Sequence, residues 1–377
     1  MSVWADVVDQ DAAIGMLRRA AAHPDDPSAM THAWLITGPA GSGRSTLALA
    51  FAKALESGTE DPEDRQARMI AAGTHPDVQV LSTSGVTISI DDVRDMVSRA
   101  QLSPSMGRFR IQIIEDADRM PETTSNVLLK ALEEPPEGTI WVLCCPSDLD
   151  VLPTIRSRVR QVRLKTPAPE AVAELLHRKW GVEPALALTC ARVTQSHVGM
   201  ARRLATDERA RDRRARSLRA LLGIRTLHGA LAASRALHEI ATSDATAGIE
   251  EETATRTAEL RAQLGLGEGD RVPPAYRAQL RGVEAEAKRR ARRAVVDGVD
   301  RVLTDAFALF RDVLLTQLGA PVELINVDVR EAIQEAASHG DAPQTLVRID
   351  AATTAREQLT RNVSPQLVLD AFCAGLI

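Results

Sequence analysis

Eight residues constrain this chain more than any others: Gly38-Pro39-Ala40-Gly41-Ser42-Gly43-Arg44-Ser45. Their spacing is that of a phosphate-cradling P-loop. Such a loop works only between a buried strand and the start of a helix, where backbone N–H groups and the helix dipole bind the anion. The flanks meet that demand. Ala33-Trp34-Leu35-Ile36 is an apolar run suited to a buried parallel strand, and Ser45 to Leu55 reads as a helix. Gly38, Gly41 and Gly43 supply permissive backbone, and Ser45 with Thr46 supply hydroxyls of the kind that hold magnesium. Arg44, however, stands where the pattern asks for lysine. A guanidinium is planar, bulkier and donates in a fixed fork, so it does not replace a compact ammonium. The loop predicts phosphate binding, and Arg44 predicts impaired turnover.

A second half-site follows downstream. Arg110-Ile111-Gln112-Ile113-Ile114-Glu115-Asp116 reads as a strand ending in acids. In a working site one carboxylate holds magnesium and the next orients the attacking water. The order here is glutamate then aspartate, so Asp116 is one methylene shorter than the glutamate expected at its position. A misplacement of about 1 Å can cost on the order of a hundredfold in rate. The third element is Ile155-Arg156-Ser157-Arg158-Val159, whose arginines can project from a subunit edge toward a neighbour's nucleotide.

The remaining pattern gives an α/β P-loop domain with a parallel sheet between helices, a small helical lid and an all-α C-terminal domain. Strands are predicted at Val78–Leu81, Ile140–Cys145 and Gln161–Leu164, and helices at Ile90–Val97 and Thr124–Glu134, the latter stopped by Pro135-Pro136. Three domains are expected, at 1–166, 167–206 and 207–377. The lid reads as about three helices. Within the last domain the polar stretch Thr242 to Ala278, with Gly265-Leu266-Gly267-Glu268-Gly269, reads as a long loop or the tip of a helical hairpin. Lys288-Arg289-Arg290-Ala291-Arg292-Arg293 reads as a solvated helix face.

Composition excludes some classes. The formal net charge of -5 gives no global basic field for nucleic acid, and 3% aromatics offer few stacking platforms for single strands. Cys144, Cys145, Cys190 and Cys373 lack metal-ligand spacing and read as small buried hydrophobes in a reducing compartment. The N-terminus lacks a basic region with an apolar core, and no apolar run reaches membrane-spanning length, so a cytoplasmic location and no membrane partner are expected.

Three stretches together carry a family resemblance: Thr31-His32-Ala33-Trp34-Leu35-Ile36-Thr37-Gly38, Glu115-Asp116-Ala117-Asp118-Arg119-Met120, and Asn126-Val127-Leu128-Leu129-Lys130-Ala131-Leu132-Glu133-Glu134-Pro135-Pro136. With them the chain resembles the bacterial clamp-loader subunits of the AAA+ superfamily, and among these the delta-prime type. Ser157-Arg158-Val159 is similar to the family's Ser-Arg-Cys motif with the cysteine replaced. The resemblance is strong over roughly the first 165 residues and weak in the lid.

The resemblance implies a non-motor part of the DNA polymerase III holoenzyme, a nucleotidyltransferase assembly. Its partners would be delta and gamma/tau subunits, the sliding clamp and, through the assembly, primed DNA. Arg158 would be an arginine finger offered in trans, the all-α domain an oligomerising collar, and ATP or ADP with Mg²⁺ a ligand of low occupancy or none. The chain's own ATPase would be weak or absent. The lid's sensing arginine of the hydrolysing members falls at Gly199, with Arg202 and Arg203 close by. Many relatives carry a four-cysteine zinc module where Glu56 to Thr74 has no cysteine, so no zinc is expected and the segment reads as a shortened polar remnant. Two other functions stay open: an ATP-hydrolysing motor subunit or other AAA+ ATPase, and a P-loop kinase acting on a small molecule.

Overall fold

The computed structural model describes residues 2–83, 87–263, 273, 277–361 and 363–377. It divides into two compact units, Met1–Thr206 and Asp207–Ile377.

In the first unit five parallel strands form one sheet in the order β2-β3-β4-β1-β5. They are β1 (Ala33–Thr37), β2 (Val78–Leu81), β3 (Arg110–Ile114), β4 (Thr139–Cys145) and β5 (Arg160–Arg163). The three inner strands are buried from end to end, as their unbroken apolar runs require. Alternation along them splits the core between two faces. Trp34, Ile36, Ile113 and Val142 face helices α1 (Asp11–Ala22), α2 (Arg44–Ser57) and α3 (Arg65–Ala71). Leu35, Ile114, Trp141 and Leu143 face α4 (Ile90–Ala100), α5 (Glu122–Glu133) and α6 (Pro153–Arg156). Trp34 and Phe51 meet edge-to-face at 5.4 Å and anchor the α2 side. Helices α7 (Pro169–Trp180), α8 (Pro184–Val193) and α9 (Val198–Thr206) complete the unit.

Two differences from the sequence reading have physical causes. The segment Glu56 to Thr74 is more than a polar remnant: Asp64 accepts from the amides of Gln66 and Ala67 and starts α3, which buries Ala67 and Ile70. Seven residues with two apolar anchors give too little periodicity to read. Strand β3 ends at Ile114 rather than Asp116. Glu115 still donates its N–H to Leu81, but Asp116 turns into the left-handed region at φ 54° and ends the pairing.

The loop that leads into β3 is clamped by two buried acids. Asp77 accepts from the amides of Ser105, Met106 and Gly107 and from Arg110 at 3.0 Å. Burial alone would raise its pKa, but these amides outweigh burial and bring it down to about 2. Glu56 accepts from the amides of Arg108 and Phe109, yet burial dominates there and pushes it up to about 7.

The second unit is helical: α10 (Glu208–Leu222), α11 (Leu227–Gln263), α12 (Arg277–Gln317), α13 (Arg330–His339), α14 (Ala342–Thr360) and α15 (Pro365–Ala374). Helices α11 and α12 pack antiparallel, with Arg256 paired to Glu286 and Gly298 set against Ala241. Thr242 to Gln263 is therefore helix, while Gly265–Gly269 lies outside the described residues. The sequence suggested a loop because the stretch is polar and its partner helix α12 lies far along the chain. In the basic cluster, Lys288, Arg289 and Arg292 are exposed. Leu303, Phe310, Ile333 and Phe372 centre the core. Beside it buried Arg214 bonds Asp305 at 3.2 Å, Asp328 at 3.0 Å and Asn326, whose own amides donate to Asp312.

All four cysteines are buried, and none is in a disulfide. Among the described residues no group of three or more His, Cys, Asp or Glu is placed to hold a metal, and no helix is long and apolar enough to cross a membrane.

Candidate nucleotide site and arginine edge

The glycine loop runs from the end of β1 to the start of α2, where parallel strands leave their carboxyl ends open to ligands. Gly43 takes the N-cap of α2 at φ 96°, and no side chain caps the helix, so its first amides keep their anion-binding character. Gly41 adopts φ 77°, and a Cβ there would come within 2.3 Å of His197 Cγ. Only glycine allows that approach. Val198 N–H donates to the Gly41 carbonyl at 3.3 Å, so α9 begins directly against the loop.

Gly41, Gly43, Arg44, Ser45 and Thr46 line a cleft of about 370 Å³. Its other wall comes from α7 and α9: Leu175, Lys179, Trp180, Val198, Gly199 and Arg202. Lys179 pairs with Asp6, which also lines the cleft. Arg202 lies 4.9 Å over the Trp180 ring, one turn beyond Gly199 on the same helix. Gly199 and Arg202 thus both reach the cleft, and Arg203 does not line it. Pattern reading named Arg202 only as a neighbour of Gly199; what it missed is Trp180, for which a lone tryptophan at the end of a helix gave no signal.

Arg44 Nη1 is buried without a hydrogen-bond partner among the described residues, and so is Ser42 Oγ. Orphaned donors of this kind are costly and mark a place built for an acceptor. Gly38 stands apart from the cleft, its N–H already given to the Pro146 carbonyl at 3.1 Å.

Glu115 and Asp116 sit at the end of β3, one strand removed from β1, and neither lines the cleft. The left-handed turn at Asp116 brings a further acid into play. Asp118 is raised mainly by burial, with Asp116 adding to the rise and Arg119 and Arg44 opposing it. Its Oδ1 has no hydrogen-bond partner among the described residues. Sequence reading used Asp118 only as part of a motif; the acid two places after the pair was the available signal.

Strand β4 lies between β1 and β3, so its end borders both halves of the site. It offers Cys144, Cys145 and Pro146. The Cys145 thiol donates to the Ser147 carbonyl, and burial pushes it up to about 12. Neither thiol is a useful acid, base or nucleophile near neutral pH.

The donor set fits a phosphate group: free helix amides, Arg44 and the hydroxyls of Ser45 and Thr46. Glu115 and Asp116 do not line the cleft itself, but they lie close enough to share the electrostatic surroundings of Arg44 at the end of β4.

Arg158 is elsewhere, just past α6 on the other face of the sheet from α2. Its Nη2 pairs with Glu133 Oε1 at 2.6 Å, and its Nη1 donates to the Thr154 carbonyl at 2.9 Å and to Ser157 Oγ at 3.2 Å. The side chain is 37% exposed. The structure brings Gly41, Gly43, Arg44, Ser45 and Thr46 together and does not bring Arg158 to them.

Residues 10–168 match the family model described as DNA polymerase III, delta subunit. The delta-prime subunit of Pseudomonas aeruginosa is 36% identical over 164 residues, which are 42% of this chain and 50% of that protein. The Bacillus subtilis delta-prime subunit is 30% identical over 171 residues, 44% of this chain and 52% of its own. The tau subunit of Escherichia coli is 31% identical over 178 residues, 46% of this chain and 27% of its own. The chain spans about half the length of the delta-prime relatives it matches.

Proposed function

We propose that this chain, whose residues 10–168 match the DNA polymerase III delta-subunit family model, is a non-motor, delta-prime-like subunit of a bacterial clamp loader. It helps load a sliding clamp onto primed DNA, in an assembly with delta and gamma/tau subunits. Its own nucleotide site binds a nucleotide passively at most, and Arg158 serves a neighbour's site in trans. One observation carries this reading: an arginine finger motif stands at an exposed edge while the chain's own cleft has Arg44 for lysine and Gly199 on its lid wall.

Helix α2 amides and Arg44 attract phosphate, but Arg44 presents a broad fork in place of a point charge. Asp116 is one methylene shorter than the glutamate expected at its position, so its carboxylate falls short of where attacking water would be oriented. The end of β4 adds thiols and a proline, which cannot orient water. Arg158, in contrast, keeps a positive charge at an exposed edge, the kind of group that stabilises charge developing on a transferring phosphoryl group. The boundaries at 1–166, 167–206 and 207–377, the collar role of the last domain and a cytoplasmic location belong to the same proposal.

Binding of labelled ATP to the purified chain, with turnover measured in parallel, tests it. Weak or moderate binding without turnover is the expected result, and brisk turnover refutes it.

A second reading, a gamma/tau-like motor subunit, is favoured by the likeness to tau and by the open cleft at the glycine loop. It requires ATP hydrolysis by the isolated chain that is lost in Asp116→Asn.

A further inference from the structure

We infer that Glu133 masks Arg158 in cis, so that the finger's charge reaches a neighbouring nucleotide only after this ion pair opens. The inference rests on the proposed role of Arg158. Its basis is the geometry at the end of α5. Glu133 is the last residue of that helix and sets its carboxylate 2.6 Å from Arg158 Nη2. The Thr154 carbonyl and Ser157 Oγ engage the other terminal nitrogen.

Both arms of the fork are therefore committed within the chain. A guanidinium grips a phosphate through the same paired N–H groups that it offers a carboxylate. The two acceptors compete for one surface. An arginine finger acts by its positive charge, and a carboxylate at this distance cancels that charge locally.

The strength of the pair suits a mask and not a lock. Glu133 is 47% exposed and Arg158 37% exposed, so the pair is weak and salt-screened. A triphosphate on an adjoining subunit, with several negative charges, outcompetes one half-exposed carboxylate once it is brought close. The neutral hydroxyl and carbonyl partners remain to aim the side chain after Glu133 lets go. Glu133 thus does not touch the reacting atoms; it sets how often Arg158 is available to them.

The test is a loader reconstituted with full-length chain carrying Glu133→Gln, Glu133→Asp, Arg158→Ala or Glu133→Gln with Arg158→Ala. Glu133→Gln is expected to raise the ATPase measured without clamp or DNA two- to fivefold. It should leave the fully stimulated rate unchanged, and the gain should shrink as salt rises. Glu133→Asp should stay near the unsubstituted rate, and the double variant should match Arg158→Ala. A Glu133→Gln rate equal to or below the unsubstituted one overturns the mask. If Arg158→Ala leaves all rates unchanged, the finger role itself falls. A second measurement needs no partner: phenylglyoxal modification of Arg158 in the isolated chain, followed by peptide mass spectrometry. Glu133→Gln should speed it two- to fivefold, and an unchanged rate there overturns the mask whatever the loader does.

Discussion

Arg44 and Arg158 are the same residue type in opposite circumstances. Arg44 sits in the glycine loop with one terminal nitrogen buried and unpartnered among the described residues, among acids and thiols. Arg158 stands at an edge with both terminal nitrogens partnered and a third of its surface in solvent. The first holds its charge where a lysine would do better. The second holds its charge at an exposed edge, where the proposed function has it serve another chain. The contrast teaches that what an arginine can do is set by what surrounds its fork. Arg214 marks a third state, buried and fully paired, where the charge serves only the fold.

The largest test of this contrast removes the edge charge. Arg158→Ala in a reconstituted loader should slow turnover at the adjoining site by about a thousandfold, the scale of a finger supplied in trans. Single-turnover hydrolysis stimulated by clamp and DNA reads it, and equal rates break the contrast outright.

Next comes the structural arginine. Arg214→Ala opens a gap beside the core and leaves buried Asn326 and half-buried Asp305 without their partner, and should destabilise the helical unit by about 3 kcal/mol. All four tryptophans, Trp4, Trp34, Trp141 and Trp180, lie in the first unit. Urea unfolding followed by circular dichroism should therefore shift while the tryptophan-fluorescence transition stays put. A shift in fluorescence alone contradicts the assignment.

A smaller effect concerns the loop that leads into the acid-bearing strand. Glu56 has its folded pKa raised from 4.5 to about 7. Between those values the folded state holds the proton more tightly than the unfolded one, so this group's contribution declines as pH rises from about 4.5 to 7. Asp77 runs the other way. Its folded pKa is depressed to about 2, so its contribution is present above the ordinary carboxylate range and is lost as pH falls toward 2. The fluorescence-detected stability should fall by on the order of 1–3 kcal/mol between pH 5 and pH 8 from Glu56, and Glu56→Gln should flatten that slope. A slope unaffected by the substitution shows that Glu56 does not titrate in this window.

The smallest change is the most pointed. Arg44→Lys should tighten ATP binding about tenfold, near the 1.4 kcal/mol of one charge-assisted hydrogen bond gained. Turnover should remain negligible, because Glu115, Asp116 and the end of β4 are unaltered. Hydrolysis at a motor's pace in Arg44→Lys would mean that the rest of the site is intact, and the contrast between the two arginines would reduce to one substitution.

Much of this was legible in order of sequence. The runs at Ala33–Ile36, Val78–Leu81 and Ile140–Cys145 give strands because a fully buried parallel strand needs an unbroken apolar stretch. The glycine loop and Arg44 follow from spacing alone. Helix α3 was not legible, since its anchor is a single cap at Asp64, nor was the helical run of α11 beyond Thr242, whose packing partner lies far along the chain. Asp118, Trp180 and the Glu133–Arg158 pair were invisible as a set. Each is unremarkable by itself and acquires meaning only from what the fold sets beside it.

The order of residues by itself determined the local pieces of the site: local rules of turn, strand and helix fix the loop, the buried strands and the substitution at Arg44. Tertiary structure decided how the charges are used. Strand order put β4 and its cysteines between loop and acids, a left-handed residue turned Asp116 off the strand, and α5 and α6 took the face opposite α2. Those outcomes depend on contacts between residues distant in sequence, where the energy of a charge is set by its neighbours in space and not by its neighbours in the chain.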